Sequence, residues 1–182
     1  LKENLLRKLP WITLICLTVP GIARAQTKDP NPVTASVKEI YNRHSKYIAA
    51  AAAEMPADKY GYHPTPDQWT FGKIVAHVTQ ANLAVCSMIS DTPAPSIPKP
   101  NETDPKDTLA AALKTSFDFC DQALAKLQDA SMGDTITYFG GVKKPRSRAV
   151  IELVDDLNDH YSQLASYLRL NGMVPPSVKP QT

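Results

Sequence analysis

Apolar residues recur at spacings of three and four along four stretches of this chain, and prolines separate those stretches. The chain has 16 prolines, and they leave 33–55, 67–92, 106–144 and 146–174 free of proline. Proline inside a helix costs about 3 kcal/mol, so helices are confined to such gaps. In the first gap Val37, Ile40, Tyr41, His44, Ile48, Ala51 and Met55 fall on one helical face, and Pro56 ends the run. In the second, Thr70 is placed as N-cap ahead of Ile74, His77, Val78, Ala81, Val85 and Met88. The third opens on Asp104-Pro105, read as an N-cap followed by proline at the first helical position. Leu109, Leu113, Phe117, Cys120, Leu124 and Leu127 then form its stripe. The fourth is expected after Ser147, with Val150, Leu153, Leu157, His160, Leu164 and Leu168 inward and Gly172 just past its end.

The connections have their own signatures. Residues 91–104 are proline-rich and predict a surface crossover between the second and third helices. Thr135 to Gly141 alternates into a Gly-Gly turn, the pattern of a short β-hairpin. The sequence therefore predicts an all-α fold, a four-helix bundle with a possible small hairpin between helices three and four.

The first 25 residues read differently. Lys2, Arg7 and Lys8 precede an uncharged apolar run from Leu9 to Ile22, and Ala23-Arg24-Ala25 offers small residues at the positions a signal peptidase reads. The run is about 14 residues, short of the roughly 20 a bilayer-spanning helix needs. Residues 1–25 are therefore expected to be a cleaved signal peptide and residues 26–182 a single helical domain, periplasmic or secreted, with no stable membrane anchor. That segment carries a net +3, so of the chain's +2 the remainder holds −1. No nucleic-acid footprint survives in such a domain. The group Lys143, Lys144, Arg146 and Arg148 is read as a solvated loop. Cys86 and Cys120 remain after cleavage; an oxidising compartment permits a disulfide, and two buried thiols are equally compatible with the sequence.

Candidate chemistry rests on histidine, of which the chain has 4. His44, His77 and His160 lie on apolar helical faces, where an imidazole needs a partner. His63 sits in a loop and reads as a surface residue. Asp156 precedes His160 by one helical turn, which sets a carboxylate and an imidazole side by side. His77 from another helix would complete a metal site of His77, Asp156 and His160 with an open position. Two imidazoles and a carboxylate suit zinc, nickel, manganese or iron without choosing among them. No nucleophile elbow, phosphate-binding glycine loop, CxxC or HExxH is present.

Met55-Pro56-Ala57-Asp58-Lys59-Tyr60, Pro64 to Gly72 and Ala76-His77-Val78, with Asn158 to Leu164 and the Gly172-Met173-Val174-Pro175-Pro176 ending, resemble the DinB-like proteins in order and spacing. The resemblance spans residues 33–178. It implies an up-down-down-up bundle holding a divalent metal on three histidines, one from the second helix and two from the last. His77 matches the first and His160 the last; the middle position falls on Asp156. Relatives of this kind include thiol-dependent transferases, isomerases and hydrolases, mostly cytoplasmic, so their thiol chemistry is not carried over to an exported chain. Two functions are expected from these residues. One is a metal-dependent hydrolase or transferase of unknown substrate. The other is a non-catalytic bundle that binds a small molecule or protein partner, with the three residues hydrogen-bonded to one another.

Export generates the first testable outcome. Mass spectrometry of protein recovered from its native host should find a mature chain beginning at Gln26, and a full-length cytoplasmic product would contradict the reading.

Overall fold

The structure is a computed structural model and describes residues 29–180. The expected signal peptide lies outside the described residues. Four helices form the bundle: α1 (Pro32–Glu54), α2 (Phe71–Ser90), α3 (Lys106–Ala125) and α4 (Arg146–Leu170). Between α3 and α4, β1 (Thr135–Thr137) and β2 (Lys143–Pro145) pair antiparallel, with Ile136 opposite Lys144. The expected hairpin is therefore present, and Gly140 and Gly141 both take positive φ at its tip. No helix among the described residues is long and apolar enough to cross a membrane.

Contacts between helices fix their directions. Lys106 Nζ, at the start of α3, donates to the carbonyls of Ala53 and Met55 at the end of α1 (2.6 and 2.8 Å). Asp129, just beyond α3, accepts from the backbone N–H groups of Val33 and Thr34 at the start of α1. The two helices are thus antiparallel. Asn82 bonds Ser116, and one turn later Cys86 is joined to Cys120, so α2 and α3 run parallel. His77 faces Asp156 while Arg146 reaches the carbonyls of Met88 and Ile89, which makes α2 and α4 antiparallel. The rings of His44 and Tyr161 stack at 6.2 Å, and Glu54 pairs with Lys179 beyond α4, so α1 and α4 are parallel. The order is up-down-down-up.

This topology explains the proline-rich crossover. A 20-residue α2 is about 30 Å long, and its parallel neighbour must start again at the same end. Residues 91–105 carry the chain back along the bundle without regular structure, which extended proline segments do cheaply. The crossover meets α2 at Gly72, where a Cβ would lie 2.7 Å from the Glu102 carbonyl oxygen. The close approach requires glycine.

Leu113, Phe117, Leu153, Leu157 and Leu164 are all buried, as their stripes predict. Gly172 has φ +74°, and the amides of Gly172 and Met173 return to the carbonyls of Arg169 and Leu168 to close α4. Cys86 and Cys120 form a fully buried disulfide with Cα atoms 5.2 Å apart.

Three local expectations are corrected. Asp104 does not cap α3: its carboxylate accepts from the Asn101 N–H at 2.8 Å within its own turn, and the helix begins at Lys106 behind Pro105. The fourth helix begins at Arg146, directly after β2, rather than after Ser147. Arg146 is also not part of a solvated loop. Its guanidinium is largely buried and satisfies the last carbonyls of α2, an end whose orphan acceptors need donors. Lys143 and Lys144 are exposed as expected but lie in β2 rather than in a loop, and Arg148 lies in α4, where it pairs with Glu152.

Leu157, with no exposed surface, gives a direct measure of the packing. Leu157→Ala should destabilise the domain by about 2–5 kcal/mol in denaturant unfolding. Replacing both cysteines by alanine removes a cross-link with a sequence separation of 34. The expected loss is about 3–4 kcal/mol by the same measurement.

Candidate metal centre

The first turn of α2 is held from outside. Thr70 is its N-cap, its hydroxyl accepting from the Lys73 N–H at 3.0 Å. The amides of Phe71 and Gly72 donate to the carbonyls of Tyr62 and Tyr60 (2.9 and 2.8 Å). With the helix start fixed on this loop, His77 projects two turns later toward α4. Asp156 and His160 come up to meet it from successive turns of the antiparallel helix.

The three side chains converge on one atom. His77 Nε2 and His160 Nε2 each lie 3.4 Å from Asp156 Oδ1. The imidazole centroids are 4.6 Å apart, and one donor atom from each residue falls within 4.8 Å of the others. His160 is buried, while Asp156 and His77 are partly accessible. All three sequence-predicted ligands are therefore brought together. His44 is not among them: it is buried against Tyr161 on another face of α4. His63 stays in its exposed loop, with Nδ1 2.7 Å from the Thr65 carbonyl.

Electrostatics bind the cluster together. Burial pushes the Asp156 carboxyl upward, but hydrogen bonds from His160 and His77 and their positive charge outweigh it and bring the pKa to about 2. For His160, burial works against the charged ring, yet the Asp156 carboxylate raises its pKa above the ordinary value.

The separations are also compatible with a shared metal ion. A charge-assisted N–H···O bond closes to about 2.7–2.9 Å. Donors about 2.0–2.2 Å from a tetrahedral ion stand about 3.3–3.6 Å from one another. Both Asp156 contacts sit at the second distance.

Residues that sequence reasoning left without a role complete the surroundings. The Trp69 indole lies nearly parallel to the His160 ring (17°, 5.9 Å) and 5.0 Å from that of His77. Tyr167 holds it there, its hydroxyl donating to the Trp69 carbonyl at 2.9 Å. The i,i+7 spacing of His160 and Tyr167 on one face was the available signal, while nothing local placed Trp69 over both imidazoles. Beside His160 a cleft of about 350 Å³ opens between the Asp67–Trp69 loop and α4.

Fold and site together define a four-helix, up-down-down-up bundle with a candidate His–Asp–His centre between its second and fourth helices. The family model of the DinB superfamily matches residues 40–164, and the chain belongs to that superfamily. A DinB-like protein from Bacillus cereus ATCC 10987 has a similar structure (TM-score 0.65, 16% identity, 80% of this chain and 97% of that one). So does a conserved protein from Enterococcus faecalis (TM-score 0.61, 16% identity, 76% and 96%). A mycothiol-dependent maleylpyruvate isomerase is similar over 72% of this chain and 60% of its own (TM-score 0.60, 16% identity). At these identities the likeness is one of fold. No curated protein matches the chain in sequence.

The coupled shifts give a pH signature for the metal-free protein. Asp156, with its pKa depressed to about 2, contributes stability above the unfolded carboxylate value and loses it as pH falls toward 2. His160, raised, contributes fully below the ordinary histidine value and loses it as pH rises through its folded value. The Asp156–His160 contact takes part in both limbs, with His77 adding to the lower one, so the contribution is fullest from roughly pH 4 to 6.5. Denaturant unfolding against pH should show that plateau, and Asp156→Asn should flatten it and lower the His160 pKa seen by NMR.

Proposed function

We propose that this chain is an exported DinB-superfamily protein that binds a divalent metal through His77, Asp156 and His160 and acts as a hydrolase or transferase. The observation that carries the reading is the approach of two imidazole nitrogens from different helices to one carboxylate oxygen, both at 3.4 Å. A bound divalent ion supplies Lewis acidity, polarising a carbonyl or phosphoryl oxygen and acidifying water.

The chain's own residues supply the rest. Asp156 contributes a negative charge where the resemblance implies a third imidazole, so the donor set is harder and one unit less positive. Zinc, nickel, manganese and iron all remain compatible with it. Trp69 covers one side of both imidazoles and restricts water there, while the cleft beside His160 gives a substrate its approach. Export is supported by the leader pattern of residues 1–25 and by the buried Cys86–Cys120 disulfide, a bond that persists in oxidising compartments.

The test is a calorimetric titration of protein purified without a histidine tag, using zinc, nickel and manganese. His160→Ala should weaken binding at least about tenfold, and Asp156→Ala should weaken it as well. If the parent binds none of the three and only Asp156→His does, the natural cluster is a hydrogen-bonded one and the non-catalytic reading replaces this one.

A further inference from the structure

The turn between β1 and β2 carries a surface that the metal centre does not use. The Tyr138 amide donates to the Val142 carbonyl at 2.7 Å, and the Gly141 amide returns to the Tyr138 carbonyl at 3.0 Å, which closes the turn. Phe139 and Val142 flank Gly140 and Gly141, and their side chains are 45% and 48% exposed. A Cβ on either glycine would meet nothing within 4 Å, so the tip stands clear of the bundle. Its base is braced. Phe139 meets the Tyr138 ring edge-on at 4.9 Å, Arg148 lies over the same ring at 5.3 Å, and the Tyr138 hydroxyl donates to Glu152 at 2.8 Å.

The hairpin and the start of α4 carry charge of one sign. Residues 135–151 hold Lys143, Lys144, Arg146 and Arg148 and no carboxylate. The neighbouring acids are engaged elsewhere: Glu152 with Arg148, Asp134 with Arg146, and Asp129 with the first amides of α1. No ion pair among the described residues involves Lys143 or Lys144, and both are exposed. Lys143 stands opposite Thr137 and Lys144 opposite Ile136, and successive strand residues point to opposite faces. The two ammoniums therefore flank the apolar tip on both sides.

This combination decides among occupants. A protein interface buries about 800 Å² on each partner, far beyond two half-exposed side chains. A second copy would bring like-charged lysines together, and lysine on a short hairpin strand opposes edge pairing. A bilayer asks for no matching shape: it takes apolar side chains at the acyl boundary and cations among anionic headgroups. We infer that this hairpin docks the domain on an anionic phospholipid surface, with Phe139 and Val142 entering the interface and Lys143 and Lys144 meeting lipid phosphates. The contact is peripheral and reversible, and it does not depend on the metal centre.

Cosedimentation with vesicles tests it, using protein that begins at Gln26, because the apolar run of residues 9–22 would bind lipid by itself. Vesicles of equal parts phosphatidylglycerol and phosphatidylcholine are compared with phosphatidylcholine alone at low salt. Partitioning onto the anionic vesicles should be at least about tenfold stronger, since each lysine contributes about fivefold at such a surface. Lys143→Glu/Lys144→Glu should abolish that preference. Phe139→Ser/Val142→Ser should weaken binding to the anionic vesicles at least about tenfold. Both variants change exposed side chains, and unchanged melting temperatures show that they stay folded. Equal binding to the two kinds of vesicle, or binding to neither, overturns the inference. Loss in the lysine variant with none in the apolar one also overturns it, leaving adsorption by charge alone. A dimer in sedimentation velocity that the apolar variant abolishes overturns it in favour of a second copy.

Discussion

One carboxylate oxygen, Asp156 Oδ1, stands between two imidazole nitrogens on a helix pair that has no sequence proximity. Asp156 and His160 meet because they are one turn apart. His77 meets them only if α2 and α4 are antiparallel and in one particular register. That register is pinned at both ends of the pair. At one end the Arg146 guanidinium satisfies the last carbonyls of α2, and at the other Tyr167 bonds the Trp69 carbonyl just ahead of the Thr70 cap. A slip of one residue on either helix rotates a side chain by about 100° and removes His77 from the cluster. The site is thus a consequence of how the two helix ends are satisfied.

The topology serves the same end. Running α2 and α3 parallel leaves α2 free to lie antiparallel to α4, at the cost of a long return connection. The proline-rich crossover supplies that return, and Gly72 lets it approach the start of α2 closely. The Cys86–Cys120 disulfide and the Asn82–Ser116 bond tie α2 to α3 at two successive turns, so the helix that carries His77 is held on the flank away from α4 as well. Such support from neighbouring elements is what keeps a three-residue centre in geometry.

Much of this was legible in the sequence because it is local. Proline gaps and 3.6-residue stripes located all four helices; Thr70 and Gly172 marked a start and an end; the Gly-Gly turn marked the hairpin. Asp156 and His160 were readable as a pair from spacing alone. What failed to read was whatever depends on a distant partner. Asp104 has the chemistry of an N-cap but spends its carboxylate on its own turn, and Arg146 looks like a loop cation until the end of α2 comes to meet it. Trp69 and Tyr167 belong to the site through tertiary contact, with no periodic signal to announce the indole. The disulfide was undecidable for the same reason, since its formation depends on the distance between two helices. From periodicity alone His77 was a candidate only because an imidazole on an apolar face needs a partner, and it was the family resemblance that paired it with the last helix.

The account turns on whether the three donors share an ion. The most direct measurement is a crystal structure of zinc-soaked protein with data collected above the zinc absorption edge. The account predicts one strong anomalous peak within about 2.0–2.2 Å of His77 Nε2, His160 Nε2 and Asp156 Oδ1. Absence of a peak, with either imidazole closed onto Asp156 at ordinary hydrogen-bond distance, would contradict it.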